Sequence, residues 1–432
     1  MRLFKVVSNS LCLITVEAHS FGATSDANMS NNQLRNEILL ELAFLQSVGS
    51  KIFLGPFING NKLRMVGYYI TCILMMCTIT QLSFTLITDG SKDWLEIINI
   101  APNLGVIIMA YIKYTRSHAY KELYEEIFYH FKDGMWNIVA RQSQEHQKIV
   151  KSYKWMVMAI NRFLVFYTIP LTLIVDSFPY LFMVYNNKMH GVTDEYLYPY
   201  DAWYPFNKVK WYAAAYIWES FMTAIVIAVF VILDVMHTSY IGFICMELKL
   251  LGNCLEEILS PDNVVAILED RNAREVHRTV VNKLKIIISK HIFLAKITSK
   301  LDKVLGDAML LNYSLGAIFI CLTAFTFTVV DVTYKRIRYF LMFMSLVIEI
   351  FNQCLLGQVL NDHSKNLTEA IYFSDWSYAS PEAKKLMLMF MMRTQKQFRL
   401  TGKGYIVMNM NSFSSICSSS YQFYNLLRTI YK

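Results

Sequence analysis

The run VGYYITCILMMCTITQLSFTLIT, Val66–Thr88, contains no charged residue. As an α-helix it would be about 34 Å long, enough to cross a bilayer core of about 30 Å. Six more runs of the same kind follow it: Ile97–Ile112, Trp155–Val175, Trp211–Leu233, Ala308–Val330, Tyr339–Leu360 and Tyr405–Leu427. Among them only Arg162, Glu219 and Glu349 are charged. Ile97–Ile112 is short and is expected to extend past Lys113 or back to Trp94. A segment in lipid has to satisfy its own backbone hydrogen bonds, so all seven are expected to be helices. The expectation is an all-α, polytopic, seven-transmembrane fold.

Loop charges orient it. Asp89–Glu96 sets Lys92 against Asp89, Asp93 and Glu96, which suits the outside. Lys113–Lys154, Asp234–Asp307 and Asn361–Gly404 are rich in Lys and Arg, which suits the cytoplasm. The N-terminus is then cytoplasmic and the C-terminus extracellular. Asp331–Arg338 disagrees, because it should lie outside yet carries Lys335, Arg336 and Arg338. The other loops outvote it. Residues 1–65 then form a cytoplasmic N-terminal region, with an amphipathic helix expected over MRLFKVVSNSLCLITVEAHS rather than a signal peptide. Residues 66–360 hold the first six spans, 361–404 a cytoplasmic anchor with a short first part of the seventh helix, and 405–432 the final helix. The Ser177–Lys210 segment is placed outside.

Composition agrees. Of 432 residues, 55% are hydrophobic and 17% charged, with mean hydropathy +0.32, less charge than a soluble domain usually carries. The net charge of +8 fits loops held at the cytoplasmic face. No basic helix stands apart from the membrane segments, so no nucleic-acid partner is expected. The eight cysteines fall mostly in or beside apolar runs, without metal-ligand spacing, and read as small buried hydrophobes. No Gly-rich phosphate loop, HExxH, CxxC pair or nucleophilic triad is present. No enzymatic activity, cofactor or metal is expected.

The cytoplasmic stretches carry apolar stripes. Val235, Ile241, Ile244, Leu248, Leu251 and Leu255 continue from the fourth span, and Val281, Leu284, Ile288, Phe293 and Ile297 precede the fifth. Such spacing is that of amphipathic helix. The stripes predict an intracellular helical bundle, either between subunits or inside one.

The last run is unusual. Asn409, Asn411, Ser412, Ser414, Ser415, Ser418, Ser419 and Ser420 make it very polar for lipid, and positions 411, 415, 418 and 422 share one helical face. A polar stripe in a span faces water or packs tightly through small residues; composition leaves both open. Beyond it, Leu426 and Ile430 are four apart with Thr429 adjacent, and rings of such side chains could close a pore by dewetting. The charges inside spans also need partners or water. Glu349 could contact the Ser-rich helix, Glu219 could anchor a ligand or packing, and Arg162 could snorkel.

The stretch Tyr372–Lys432 resembles the insect odorant receptor family. The resemblance rests on Met392-Arg393-Thr394-Gln395, the glycine break at Gly402 and Gly404, Phe413, Ile416, and the helix bearing Ser418, Ser420, Tyr421 and Leu427. Length, seven spans and inverted topology agree along essentially the whole chain. Ser420-Tyr421 and Thr429-Ile430 stand where the related gustatory receptors carry Thr-Tyr and Gln-Phe, which favours the odorant branch over a gustatory channel. Loop charges argue against a G-protein-coupled chemoreceptor.

The resemblance implies a ligand-gated, non-selective cation channel in the multi-pass plasma membrane of sensory-neuron dendrites. A ligand-tuning subunit of this kind would bind a small volatile organic molecule. It would form a heterotetramer with insect odorant co-receptor subunits and pass cations through a central pore. Ser418 and Gln422 would line that pore, with Leu426, Thr429 and Ile430 at its gate. The ligand cavity would lie in the outer half of the bundle. Candidates are Tyr167, Pro170, Leu171 and Ile174 on the third span, Tyr212, Tyr216 and Glu219 on the fourth, and Tyr339, Phe340 and Phe343 on the sixth. Trp203, Tyr204 and Phe206 are candidates for an outer lid.

Overall fold

The computed structural model describes residues 43, 46–54, 57, 62–90, 94–134, 144–190, 196–200, 202–270, 272–330 and 332–431. The N-terminal amphipathic helix expected over residues 1–20 lies outside them. The described chain is built of helices: α1 (Lys62–Gly90), α2 (Trp94–Ala119), α3 (Lys121–Tyr129), α4 (Gln144–His190), α5 (Tyr212–Glu256), α6 (Pro261–Leu268), α7 (Ala273–Val329), α8 (Thr333–Phe373), α9 (Pro381–Thr394) and α10 (Met410–Tyr431). A two-stranded hairpin, β1 (Thr401–Gly402) with β2 (Ile406–Val407), precedes α10.

Each of the seven apolar runs falls on a helix. Five helical stretches, in α1, α4, α5, α7 and α8, are long and apolar enough to cross a membrane. The other two runs lie on α2 and α10. The second run extends in both directions, from Trp94 to Ala119. The last is shorter at its start than expected, because Tyr405, Ile406 and Val407 belong to the hairpin and its turn. α4 differs most from its expected span. It carries Pro170 and Pro179 and runs on to His190, through the first part of the segment assigned to an outside loop. A wide apolar belt that includes Ile73, Phe166, Leu173, Ile217 and Phe221 stays exposed on the chain, a surface suited to lipid rather than water.

Each membrane helix is antiparallel to the next, so the bundle has two ends. The roof end holds Thr88, Tyr212 and Thr333; the base end holds Ala119, Gln144 and Phe373. At the base, α5 is the central column. Val235, Met236 and Thr238 through Leu248 are buried, nearly all round the helix, as expected of a helix that is hydrophobic all round. Val281, Leu284 and Ile297 of α7 are buried as well. The apolar stripes of the base are therefore largely covered within one chain. Ile286, Phe373, Leu388 and Met389 remain exposed there. His291 of α7 is fully buried between the rings of Phe390 (5.1 Å) and Phe398 (5.2 Å), and neither ring nitrogen has a hydrogen-bond partner. Burial, with Arg393 nearby, lowers its pKa to about 4.

The link into α10 is clamped to α7. Lys403 (φ 51°) and Gly404 (φ 80°) both take left-handed conformations, the turn that suits a tight hairpin. Asp302 Oδ1 accepts from the Thr401 backbone N–H at 2.5 Å, and Asp307 pairs with Lys403 and, at 3.2 Å, with Arg116. A Cβ on Gly402 would lie 3.1 Å from Leu310 Cα, so the hairpin backbone rests directly on α7. A Cβ on Gly357 of α8 would lie 2.4 Å from the Met408 carbonyl oxygen, so the chain entering α10 rests on α8. Asn409 caps α10 by accepting from Ser412 N–H at 2.8 Å.

The discordant charges of the Asp331–Arg338 loop have a structural explanation. α8 begins at Thr333, so Arg336 and Arg338 are helical. Arg336 Nε donates to the Val330 carbonyl at 3.1 Å, and Arg338 turns inward to the Pro199 carbonyl. The inward-facing Arg338 is not a free loop base, so it weighs little in a rule that counts loop charges.

Candidate functional site

A cavity of about 210 Å³ lies inside the roof half of the bundle. Each contributing helix presents one face to it, at spacings of three and four. α4 gives Leu164, Tyr167, Thr168, Leu171 and Val175; α5 gives Thr223, Val226, Ile227, Phe230, Val231 and Asp234. α8 gives Arg338, Met342, Ser345, Leu346, Ile348 and Glu349, while Asn103, Val106 and Ile107 come from α2. Pro199 and Tyr200 complete the wall at the roof end. The lining is mostly aliphatic with a few polar groups, the composition of a small-molecule pocket. Most of its hydroxyls are engaged, that of Tyr200 being buried without a partner among the described residues. Tyr167 and Ser345 bond to each other at 3.0 Å, and Thr223 donates to the Glu219 carbonyl at 2.9 Å.

The roof is a strap formed by 196–200 and 202–206, fastened at several points. Glu219 on α5 is fully buried; its Oε2 accepts from Tyr200 N–H at 2.9 Å. Its Oε1 accepts from Ala202 N–H at 3.1 Å and from the Tyr204 hydroxyl at 3.3 Å. Trp203 N–H donates to Thr85 of α1 at 2.8 Å, and its ring meets Phe84 at 4.4 Å. The Tyr212 hydroxyl donates to the Leu197 carbonyl at 3.0 Å. Outside any regular element, the N–H groups of Tyr200, Ala202 and Trp203 are thus still paired, as burial demands.

The floor is ionic. Lys113 of α2 reaches Glu349 Oε1 at 2.5 Å and Asp234 Oδ1 at 3.4 Å, with the Phe230 ring 4.2 Å from its ammonium. Asn312 and Gln353 donate to the same Glu349 oxygen at 2.8 and 3.3 Å. Two carboxylates share one ammonium, so removing the lysine would leave both without their cation. The sequence left Glu349 in search of a partner, and the partners are Lys113, Asn312 and Gln353 rather than the Ser-rich helix.

The sequence candidates fall into three groups. Tyr167 and Leu171 line the cavity. Ile174 lines a small side pocket with Val175, Phe178 and Arg338. Glu219, Tyr212, Tyr216 and Tyr339 stand behind the wall: Glu219 and Tyr212 support the strap, Tyr216 donates to the Asp176 carbonyl inside α4, and Tyr339 accepts from Arg338 at 2.9 Å. Phe343 is half-buried, and Pro170 and Phe340 are exposed. Trp203, Tyr204 and Phe206 all belong to the strap. Sequence reasoning passed over Asn103, Thr223, Phe230 and Arg338. For Arg338 there was a signal, since it broke the charge rule.

On α10, the face bearing Asn411, Ser415, Ser418 and Gln422 is exposed and continues through Leu426, Thr429 and Ile430. The opposite face, with Phe413, Ile416 and Ser420 buried, packs on α7 and α8. The ring of Phe413 meets Phe351 of α8 at 5.4 Å. Within one chain the polar stripe is therefore unpartnered. No group of three or more metal-ligating side chains occurs among the described residues.

Residues 96–421 match the family model described as 7tm Odorant receptor. Odorant receptor 67a of Drosophila melanogaster is 25% identical over 201 residues, covering 45% of this chain and 49% of that protein. Odorant receptor 67c of Drosophila melanogaster is 28% identical over 204 residues, covering 46% and 50%. The chain spans about half the length of the curated relatives it matches. The insect olfactory receptor OR5 from Machilis hrabei, solved in complex with eugenol, shares the fold. Its TM-score is 0.77 at 16% identity, over 92% of this chain and 99% of that one. With a multi-pass helical fold and a family match over most of its length, this chain belongs to the 7tm odorant receptor family.

Proposed function

We propose that this chain is the ligand-tuning subunit of an odorant-gated, non-selective cation channel. It assembles with insect odorant co-receptor subunits into a heterotetramer in the dendritic membrane of sensory neurons, N-terminus inside. The supporting observation is that α8 serves two sites at once. Its roof half walls the cavity through Arg338, Met342, Ser345, Leu346 and Glu349. Its base half seats α10 through Phe351 and Gly357. A ligand that favours one packing of α8 therefore also biases α10.

Size fits a volatile molecule. A dry apolar cavity of about 150 Å³ holds benzene, so 210 Å³ admits a ring with a short substituent or a chain of similar bulk. The exposed stripe of α10, with Ser418 and Gln422, would face the pore of the assembly. Leu426, Thr429 and Ile430 would form its gate, and no acidic side chain lies on α10 to make it selective. The OR5 of Machilis hrabei is described as an olfactory receptor in complex with eugenol, a small aromatic ligand.

The test is whole-cell current during an odorant screen, with the chain expressed alone and with an insect odorant co-receptor. Rapid cation current that requires this chain and persists under G-protein blockade is the expected result. Odorant-evoked signals abolished by that blockade would overturn the channel reading. A sugar or bitter response from this chain alone would assign it to the gustatory branch.

A further inference from the structure

We infer that Arg338 selects ligands carrying a neutral carbonyl oxygen, as in a ketone, aldehyde or ester, on a small apolar skeleton. The inference rests on the reading of the roof cavity as the odorant site and adds the chemical class that this site prefers.

A guanidinium has five N–H donors in a fixed fork and no acceptor. For Arg338 the protein supplies the Pro199 carbonyl and the Tyr339 hydroxyl, the latter at 2.9 Å. The Nε–H is buried and has no acceptor. No carboxylate of the described residues lies within ion-pair distance of it. Its guanidinium carbon sits 4.8 Å from the centre of the Tyr339 ring, a weaker source of compensation. Arg338 also lines the cavity itself. It is thus a cation at the wall of an apolar space with more donors than acceptors. Unmet donors in such surroundings favour any ligand atom that supplies an electron pair.

Of the other lining hydroxyls, that of Tyr200 is buried without a partner among the described residues and can donate only one proton, and the rest are engaged. The Tyr167 and Ser345 hydroxyls satisfy each other, and those of Thr168 and Thr223 donate to backbone carbonyls. Lys113, behind the floor, is already bonded to Asp234 and Glu349.

Charge decides between a neutral and an anionic ligand. Around the cavity, its floor and its roof, Arg338 and Lys113 stand among three carboxylates, Asp234, Glu349 and Glu219. A carboxylate ligand would add a negative charge to a space that already holds two carboxylates. An ammonium ligand would share that space with Arg338. A neutral carbonyl adds no charge to this set. The acceptors that Arg338 already uses, a peptide carbonyl and a hydroxyl, are neutral, so this site already solvates the cation with neutral oxygens.

The experiment records dose-responses of the chain co-expressed with an insect odorant co-receptor. The probes are carbonyl compounds paired with hydrocarbons of the same shape, such as acetophenone with cumene and 2-heptanone with 2-methylheptane, together with benzoate and benzylamine. A hydrogen bond from a charged donor should lower the half-maximal concentration of the carbonyl partner about tenfold or more relative to its hydrocarbon. Arg338→Met should reduce that ratio by the same factor. Tyr339→Phe removes a competing acceptor and should raise the ratio about threefold or more; it decides the matter if Arg338→Met fails to reach the surface. Equal potency within the pairs, a ratio that Tyr339→Phe leaves unchanged or lowers, or benzoate as the strongest agonist would each overturn the inference while leaving the receptor reading intact. No current from any volatile in the wider screen, despite verified surface assembly, would overturn both.

Discussion

The strap that roofs the cavity should loosen when Glu219 is changed, and the structure sets by how much. Among the described residues Glu219 receives three donors from the strap: Tyr200 N–H on one oxygen, Ala202 N–H and the Tyr204 hydroxyl on the other. In Glu219→Gln the amide oxygen keeps the pair of donors best if it takes the second position. The amide nitrogen then faces Tyr200 N–H, and that donor is orphaned. An orphaned buried donor costs about 1–3 kcal/mol, which raises the open-strap population roughly 5- to 150-fold. Glu219→Leu orphans all three donors and costs more, at least about 3 kcal/mol by the same reckoning. Removing a buried charge works in the opposite direction, because its desolvation cost disappears. The donors decide the outcome, since two of them are backbone groups that only water can satisfy once the carboxylate is gone. Hydrogen exchange read by mass spectrometry on the purified receptor measures the effect. Amides of 196–206 should exchange faster in the order parent, Gln, Leu, while amides of 361–373 keep their rate. Unchanged exchange over 196–206 in both variants, or acceleration throughout the protein, would refute the assignment of Glu219 as the fastening of the strap.

Two other predictions concern charge. Lys113→Met strands Asp234 and Glu349 in the bundle, and breaking such a buried pair costs about 3–5 kcal/mol; thermal unfolding in detergent should fall clearly, and adding Glu349→Gln should restore part of the loss. At the base, His291 has its pKa lowered to about 4 by burial, against about 6.5 when unfolded. The unfolded chain therefore takes up the proton first as pH falls. His291 should cost stability progressively between about pH 6.5 and 4, by roughly 1 kcal/mol at pH 5.5, and His291→Phe should flatten that part of the stability profile.

The membrane helices were legible because their signal is local. A run such as Val66–Thr88 contains all that is needed to recognise it, and the stripes at Val235–Leu255 and Val281–Ile297 announced helices that outrun the bilayer. α4 was misjudged at its far end, where the uncharged run stops at Val175 and Ser177–Lys210 was placed in an outside segment, yet the helix continues to His190. The cavity was half legible. Tyr167 and Leu171 were among the candidates that the family resemblance implied. The strap was not, because Glu219 binds backbone N–H groups, and these leave no trace in residue identity. Nor was the floor, whose Lys113 and Glu349 are 236 positions apart and meet only once α2 and α8 are packed. Arg338 was visible as an anomaly and was set aside, although a charge that violates a rule about loops is best read as a charge that has gone elsewhere.

α7 runs without interruption for 57 residues, from Ala273 at the base to Val329 at the roof. An α-helix turns about 100° and rises about 1.5 Å per residue. One residue inserted near its middle would therefore rotate either the Val281, Leu284 and His291 face or the Tyr313, Ile320 and Phe325 face out of register with its neighbours. Neither half can absorb the shift, since both are buried, and the hairpin resting on Gly306 lies between them. Substitutions along α7 are negotiable, but its length is not. Insertions and deletions among related receptors are expected instead between helices, as at 257–260 between α5 and α6, where an added residue changes no face of any helix.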